Sequence, residues 1–292
     1  MFANPRLMLI PIYLSTTLII DSPVRCSYDT LSRMIETYAP IFRSVEQSAK
    51  ADGKGAYFRL HRYRFAAMLA ALSPVPRGSH ILEVGVTPGH FTQLLVEAGY
   101  KVSGVDLNPA SRQALWDRLG VEVHQTNLER EALPFAANSF DAIVFSEVIE
   151  HLVYSPLPVL REFQRVLRPG GRAVISTPNE LYAKSRLRTL LRVLLWQSLN
   201  TSAEFRHQMQ LEGADRYTTH SRTYTMAELA WLVQAAGMRV TDKRFVAAWE
   251  PVGLGEGRWR HHPLRVAVKR AFYGLTTLIP PARSMLLVVG QK

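Results

Sequence analysis

From residue 80 onward the sequence alternates between short apolar runs of strand type and amphipathic runs of helix type, and this rhythm limits the fold more than any other feature. Residues 80–86 (HILEVGV), 101–107, 121–126, 140–146 and 172–177 read as strands, with helices expected over 89–98, 109–119 and 157–168. Buried-type strands joined by short links through helices form a parallel sheet covered on both faces, because each crossover lays a helix on one side. A helix over 226–236 stopped by Gly237, a strand over 238–247 and a last apolar run at 285–290 bring the strand count to seven. The two late strands lack a regular crossover, so an antiparallel edge hairpin is expected on an otherwise parallel α/β sheet.

Ahead of this domain, residues 28–78 read as a helical segment with apolar positions such as Leu31, Ile35, Tyr38, Phe42 and Val45 at spacings of three and four, ending in a Pro-Gly breaker cluster. Residues 1–27 form an apolar extension. Its Leu7–Ile20 run is too short to span a bilayer, which needs about 20 apolar residues, and no small-x-small cleavage site follows it. An interfacial anchor, a strand-like extension or a start at Met34 are the readings kept. The domain itself covers 79–292, with insertions at 180–219 and 250–281. Cys26 is the one cysteine, so an internal disulfide and a cysteine-based zinc site are excluded and a reducing compartment is expected. With 35 Lys and Arg against 24 Asp and Glu, the formal charge of +11 favours an anionic partner: nucleic acid, an acidic lipid surface or an acidic small molecule.

Chemistry concentrates at EVGVTPG, 83–89, between a strand and a helix. Gly85 and Gly89 permit a tight turn and close approach to a ligand at the carboxyl end of the strand, where open α/β sheets bind ligands. Asp106 ends the second strand about 20 residues later, where an acid can accept hydrogen bonds from two ribose hydroxyls. Together they describe a nucleoside site. A dinucleotide fingerprint would need glycines where Thr87 and His90 stand, so a nicotinamide cofactor fits poorly.

In these residues, and in ALPFAANSFDAIVFSEVIEHL (132–152), RVLRPGGRAVISTPN (165–179) and YTMAELAWLVQAAGM (224–238), the chain resembles the class I S-adenosylmethionine-dependent methyltransferases from about residue 59 to 247. The resemblance, nearest to the ubiquinone-pathway O-methyltransferases, implies a Rossmann-like fold and S-adenosylmethionine as cofactor. It implies that Glu83, Gly85 and Gly89 surround the methionyl part, Asp106 holds the ribose, Asn127 and Leu128 flank the adenine, and Ser146 lies beside the sulfonium. Thr87 replaces the usual middle glycine, and Asn127 stands where an aspartate is common. Arg59, Arg62 and Arg64 are either cofactor-carboxylate ligands or solvated.

A sulfonium methyl is already electrophilic, so the protein must align an acceptor atom and free its lone pair; a hydroxyl needs a base or a metal ion for this. EVIEH, 147–151, would place Glu147, Glu150 and His151 on one helical face at i, i+3 and i+4. In the resembling O-methyltransferases and small-RNA 2′-O-methyltransferases this run is completed by a later histidine ahead of an aromatic-Thr pair, here His220 before Tyr224 and Thr225. A divalent ion (Mg, Mn, Fe or Co) on Glu147, Glu150, His151 and His220 is one expectation; His151 acting alone as base is the other.

The insertions carry basic amphipathic runs. Leu187, Leu190, Leu191, Leu194 and Leu195 form a stripe flanked by Arg186, Arg188 and Arg192, and 264–279 repeats the style. Such a stripe lies on an anionic membrane, covers an apolar substrate, or packs on the core. Nucleic acid is disfavoured, because no RNA-binding module or aromatic-basic interleaving is present. The sequence therefore points to a cytoplasmic O-methyltransferase acting on a small or lipid-linked hydroxyl, with peripheral contact at the inner face of the membrane. An RNA 2′-O-methyltransferase and a cofactor-binding protein without catalysis are the alternatives.

Overall fold

The structure, a computed structural model, describes residues 28–199, 202–252 and 263–292. The apolar extension at 1–27 lies outside the described residues.

The helical segment divides into α1 (Tyr28–Thr37), α2 (Ala39–Ala51) and α3 (Gly55–Leu72). Pro40 in the first turn of α2 cannot continue a preceding helix, and Gly53 takes a left-handed φ of 69° between α2 and α3. These breakers interrupt the continuous periodicity without disturbing which face is apolar. Leu31, Phe42, Val45 and Phe58 all enter one buried cluster.

The sheet contains β1 (His80–Val84), β2 (Lys101–Asp106), β3 (Glu122–Gln125), β4 (Phe140–Ser146), β5 (Leu167–Pro178), β6 (Arg239–Val246) and β7 (Met285–Gln291). Their spatial order is β3-β2-β1-β4-β5-β7-β6. Neighbours from β3 to β5 are parallel, and β7 runs antiparallel to both β5 and β6. The expected antiparallel edge hairpin is present as β6 and β7, with β7 inserted between β5 and β6 so that β6 is outermost. The side chains explain this. MLLVVG is apolar on both faces and is buried, whereas RVTDKRFV alternates and suits the solvated edge.

Successive strand residues feed opposite layers. Ile81, Ala142, Val144, Val174 and Leu287 pack with α2, α3 and α4 (His90–Glu97); Leu82, Ile143, Phe145, Ile175 and Val288 pack on the other face. α5 (Gln113–Leu119) follows β2, and α6 (Leu157–Val166) lies on the second face. The first insertion holds α7 (Ala183–Leu194), α8 (Ser202–Met209) and a 3₁₀ turn at Gly213–Thr218; α9 (Met226–Ala235) packs beside α6, and α10 (Pro263–Leu278) belongs to the second insertion. α7 buries none of its residues. Among the described residues, no helix is long and apolar enough to cross a membrane.

Candidate active site

The chain winds outward from β1 through β2 to β3, then returns to β4 on β1's other side, so the carboxyl ends of β1 and β4 splay apart at a switch point. Two adjoining cavities lie there. The smaller, about 60 Å³, is bordered by Glu83, Gly85, Gly89, Ser146, Glu147 and Arg64. The larger, about 210 Å³, is lined by Gly85, Asp106, Asn127, Leu128, His151 and Tyr217, among others. Gly85 sits between them at φ 81°, and a Cβ there would meet Val148 Cγ2 at 2.5 Å, so a side chain is excluded by conformation and by space. At Gly89 the neighbours are Leu115 and Trp116 of α5, so that glycine admits helix packing as well as bordering the cavity.

The small cavity is electrostatically unfinished. Glu83 is buried with Oε2 unpartnered, and burial pushes its carboxyl up to about 8. Arg64, 7% exposed, reaches in from α3, donates to the Tyr57 hydroxyl at 3.2 Å and leaves its Nε unpartnered. Its nearest anion is Glu147, at 3.8 Å. A buried acid and a buried base, each with unused hydrogen-bonding capacity, suit a zwitterionic amino-acid group. Asp106 is tied by backbone N–H groups, from Thr87 to Oδ2 and from Asn108 to Oδ1, both at 3.0 Å, which fixes the carboxylate while leaving further lone pairs. Thr87 takes no left-handed conformation, so the missing glycine costs the loop nothing in φ. Asn127 Oδ1 accepts the Glu129 N–H at 3.1 Å and borders the larger cavity. The pair of cavities therefore fits the methionyl and nucleoside parts of S-adenosylmethionine.

At the end of β4 the geometry departs from the helical spacing expected of EVIEH. Glu147 adopts φ 56°, and only Ile149–His151 forms a 3₁₀ turn, so Glu147, Glu150 and His151 do not stack on one helical face. A strained left-handed residue directs Glu147 one way and the turn directs its neighbours another. Glu147 joins a polar chain in which Ser146 Oγ bonds Ser176 Oγ at 2.9 Å and Ser176 donates to Glu147 at 3.3 Å. Glu150, His151 and His220 come together instead, with one ligand atom from each lying within 4.8 Å of the others. Glu150 is 1% exposed, accepts from Thr177 at 2.9 Å through Oε2 and has no partner for Oε1. Burial, then the charge of Glu147, raises its carboxyl well above the ordinary range. His151 Nδ1 donates to the Thr219 carbonyl at 3.1 Å, since a carbonyl can only accept. Burial lowers its pKa, so the neutral ring keeps a lone pair on Nε2. His220 meets it edge-to-face, with ring centroids 4.7 Å apart. An orphaned carboxylate oxygen beside two imidazoles is a donor set that fits a divalent ion. Glu147 would have to leave Arg64 to join it.

Tyr224 and Thr225 serve the frame. The buried Tyr224 hydroxyl reaches the Ile149 carbonyl at 3.5 Å, and Thr225 caps α9 in a reciprocal capping box with Glu228. Sequence reasoning missed Tyr217, which lies over the larger cavity, and left Arg64 undecided. Neither carried a local signal, because both reach the site from segments outside the alternating pattern.

Residues 57–243 match the methyltransferase domain family. Among curated proteins, a ubiquinone biosynthesis O-methyltransferase of Nitrosococcus oceani is 37% identical over 107 residues, 35% of this chain and 44% of that protein. Another of that name, from Aeromonas salmonicida, is 29% identical over 170 residues, 56% of this chain and 65% of its own length. The matched region thus spans less than two thirds of either relative. A solved methyltransferase in complex with the Haloferax volcanii Trm112 activator superposes with a TM-score of 0.54 at 18% identity, covering 86% of this chain and 96% of that one, a likeness of fold. With the family match over most of the α/β domain and the switch-point cavities in place, the chain belongs to the class I S-adenosylmethionine-dependent methyltransferases.

Proposed function

We propose that this protein transfers the methyl group of S-adenosylmethionine to the hydroxyl oxygen of a small or lipid-linked acceptor. The observation that carries this reading is the position of His151. It lines the same 210 Å³ cavity as Asp106, so a group able to take a proton adjoins the space assigned to the nucleoside. In the reaction the acceptor oxygen forms a bond to the methyl carbon as the sulfur–carbon bond breaks, and the hydroxyl proton passes to His151 Nε2. Glu83 receives the ammonium and Arg64 the carboxylate of the methionyl group; Asp106 holds the ribose hydroxyls, and Asn127 and Leu128 flank the adenine. Ser146 stands at the cavity wall beside the sulfonium.

Glu150, His151 and His220 would hold a divalent ion, which when bound supplies Lewis acidity that lowers the acceptor's pKa; the N/O donors suit manganese, iron or cobalt at least as well as magnesium. In that case His151 is a ligand and not the base. The names of the ubiquinone-pathway relatives support a hydroxyl acceptor. The reducing compartment inferred from Cys26 supports a cytoplasmic site of action.

Methyl-labelled cofactor incubated with lipid and polar metabolite extracts, with products analysed by mass spectrometry, tests the reading. Methyl ethers are the expected products. Transfer only to amines, or only to RNA, would overturn the hydroxyl assignment. Repeating the assay in chelator separates the two roles of His151. If an ion is used, turnover stops, manganese or magnesium restores it, and Glu150→Ala behaves like chelated protein. If His151 acts alone, chelator has no effect and His151→Ala alone abolishes turnover.

A further inference from the structure

The feature left unexplained by the cavities is α7. Its leucines 187, 190, 191 and 194 recur at i, i+3, i+4 and i+7, the spacing that ordinarily marks a core-facing stripe, yet the helix buries no residue. Leu194 is 65% exposed, and Trp196, just past the helix end, is 97% exposed. The stripe therefore faces outward. Around it stand Lys184, Arg186, Arg188 and Arg192, and the sequence has no acidic residue between Glu180 and Glu204. Arg192 bonds the Leu199 carbonyl and so keeps its charge at the helix's carboxyl end.

α10 repeats the arrangement. Leu264, Val268 and Leu278 are exposed, the helix carries Arg265, Lys269 and Arg270, and no acid follows Glu256 in the sequence. The two helices adjoin, because Tyr182 at the start of α7 packs edge-to-face on Phe272 of α10 with ring centroids 6.2 Å apart. α7 also leaves the sheet shortly after β5, whose Ser176 and Thr177 hold Glu147 and Glu150.

We propose that α7 and α10 together form a docking surface for an anionic lipid bilayer. Two properties of the surface select this occupant. A leucine stripe ending in an indole suits the boundary between acyl chains and headgroups, where tryptophan is favoured. A ring of basic charge in which Arg186 pairs with one acid, Glu180 at 3.3 Å, keeps a net positive surface that suits phosphatidylglycerol-like or other anionic headgroups. A second copy of the chain is a poor match: a two-fold contact through this patch would set the same basic residues against one another. The surface stands independently of the methyl-transfer reading. If that reading holds as well, docking turns the end of β5 and its site toward the bilayer, the direction from which a lipid-linked acceptor arrives.

The test is sedimentation of the full chain with phosphatidylcholine vesicles, with or without about 30% phosphatidylglycerol, at low and high salt. Two variants accompany it, Leu190→Glu/Leu194→Glu/Trp196→Glu and Arg186→Gln/Arg188→Gln/Arg192→Gln. Every substituted side chain is exposed except Arg192, which is half-buried and bonds the Leu199 carbonyl, and circular dichroism with S-adenosylhomocysteine affinity verifies that each variant is folded and keeps its cofactor site. The expected result is binding to the anionic vesicles alone, weakened by salt, and weakened roughly a hundredfold by removal of three basic residues. The leucine-tryptophan variant should bind no better than the basic-residue variant. Wild-type protein remaining in the supernatant would overturn the proposal. So would variants that bind as tightly as wild type, which would assign binding to another segment such as residues 7–20. A concentration-dependent dimer abolished by the leucine-tryptophan variant would assign the surface to a second copy instead. Failure of cofactor binding with vesicle binding intact would count against the methyl-transfer reading and leave the docking surface standing.

Discussion

Glu83 is a carboxyl held without its counter-charge. Burial raises its pKa from 4.5 to about 8, with Asp106 adding to the rise and Arg64 opposing it. A carboxyl raised in this way binds its proton more tightly in the folded protein than in the unfolded chain, so its contribution to stability is fully present below pH 4.5 and is lost as pH rises through about 8. The ligand-free protein should therefore show a thermal midpoint that falls over this window, and Glu83→Gln should make that slope shallower, the remainder coming from the other raised carboxyls, Glu147 and Glu150 among them. An ammonium group placed beside Glu83 requires the carboxylate form. S-adenosylhomocysteine affinity should accordingly rise with pH, by up to about tenfold per unit below pH 8, with a proton released to the buffer. Calorimetry in buffers of different ionisation heat checks both, and equal pH slopes in wild type and Glu83→Gln would show that Glu83 does not face the ammonium. Glu83, Gly85 and Asp106 were legible in the sequence because a strand end followed by a glycine turn positions them locally. Arg64 was not, because its burial depends on α3 packing against the face of the sheet. Nor was the splitting of EVIEH, since the left-handed turn at Glu147 has no signature among non-glycine residues.

At the scale of elements, capping and edge character explain more than propensity. Thr225 accepts the Glu228 N–H at 3.4 Å, and Glu228 returns a bond to the Thr225 N–H at 2.8 Å, which fixes where α9 starts. Thr225→Ala should cost about 1 kcal/mol of stability by urea denaturation while leaving S-adenosylhomocysteine affinity unchanged. A change in affinity without loss of stability would give Thr225 a place in the site. The helices and strands of the α/β domain were legible because their apolar periods are long and bounded by Gly and Pro. The edge hairpin of β6 and β7 was legible too, but not which strand lies outermost; the six buried residues of β7 call for neighbours on both sides, which leaves the edge to β6. The leucines of α7 illustrate the opposite limit: a stripe at helical spacing establishes amphipathicity, and only tertiary structure shows that nothing described covers it.

For the molecule as a whole, the strand order places three strand ends around one opening. Glu83 comes from β1 with Gly85 just past it, Asp106 from β2, and Ser146 from β4 with Glu147 just past it; His151 lines the larger cavity and brings Glu150 and His220 beside it. A nucleoside occupying the larger cavity must meet Asp106, whose carboxylate is already aimed by the Thr87 and Asn108 N–H groups. Removing it leaves the ribose hydroxyls unpaired, at a cost of about 1 to 3 kcal/mol for a buried group, or roughly ten- to a hundredfold in affinity. The most direct measurement is calorimetric titration of the wild-type protein and Asp106→Ala with S-adenosylhomocysteine, the product that every methyl transfer leaves in this site. One site of micromolar affinity in the wild type, weakened at least tenfold in Asp106→Ala with the fold retained, is the expected result. No heat in the wild type, or equal affinity in both proteins, would contradict it.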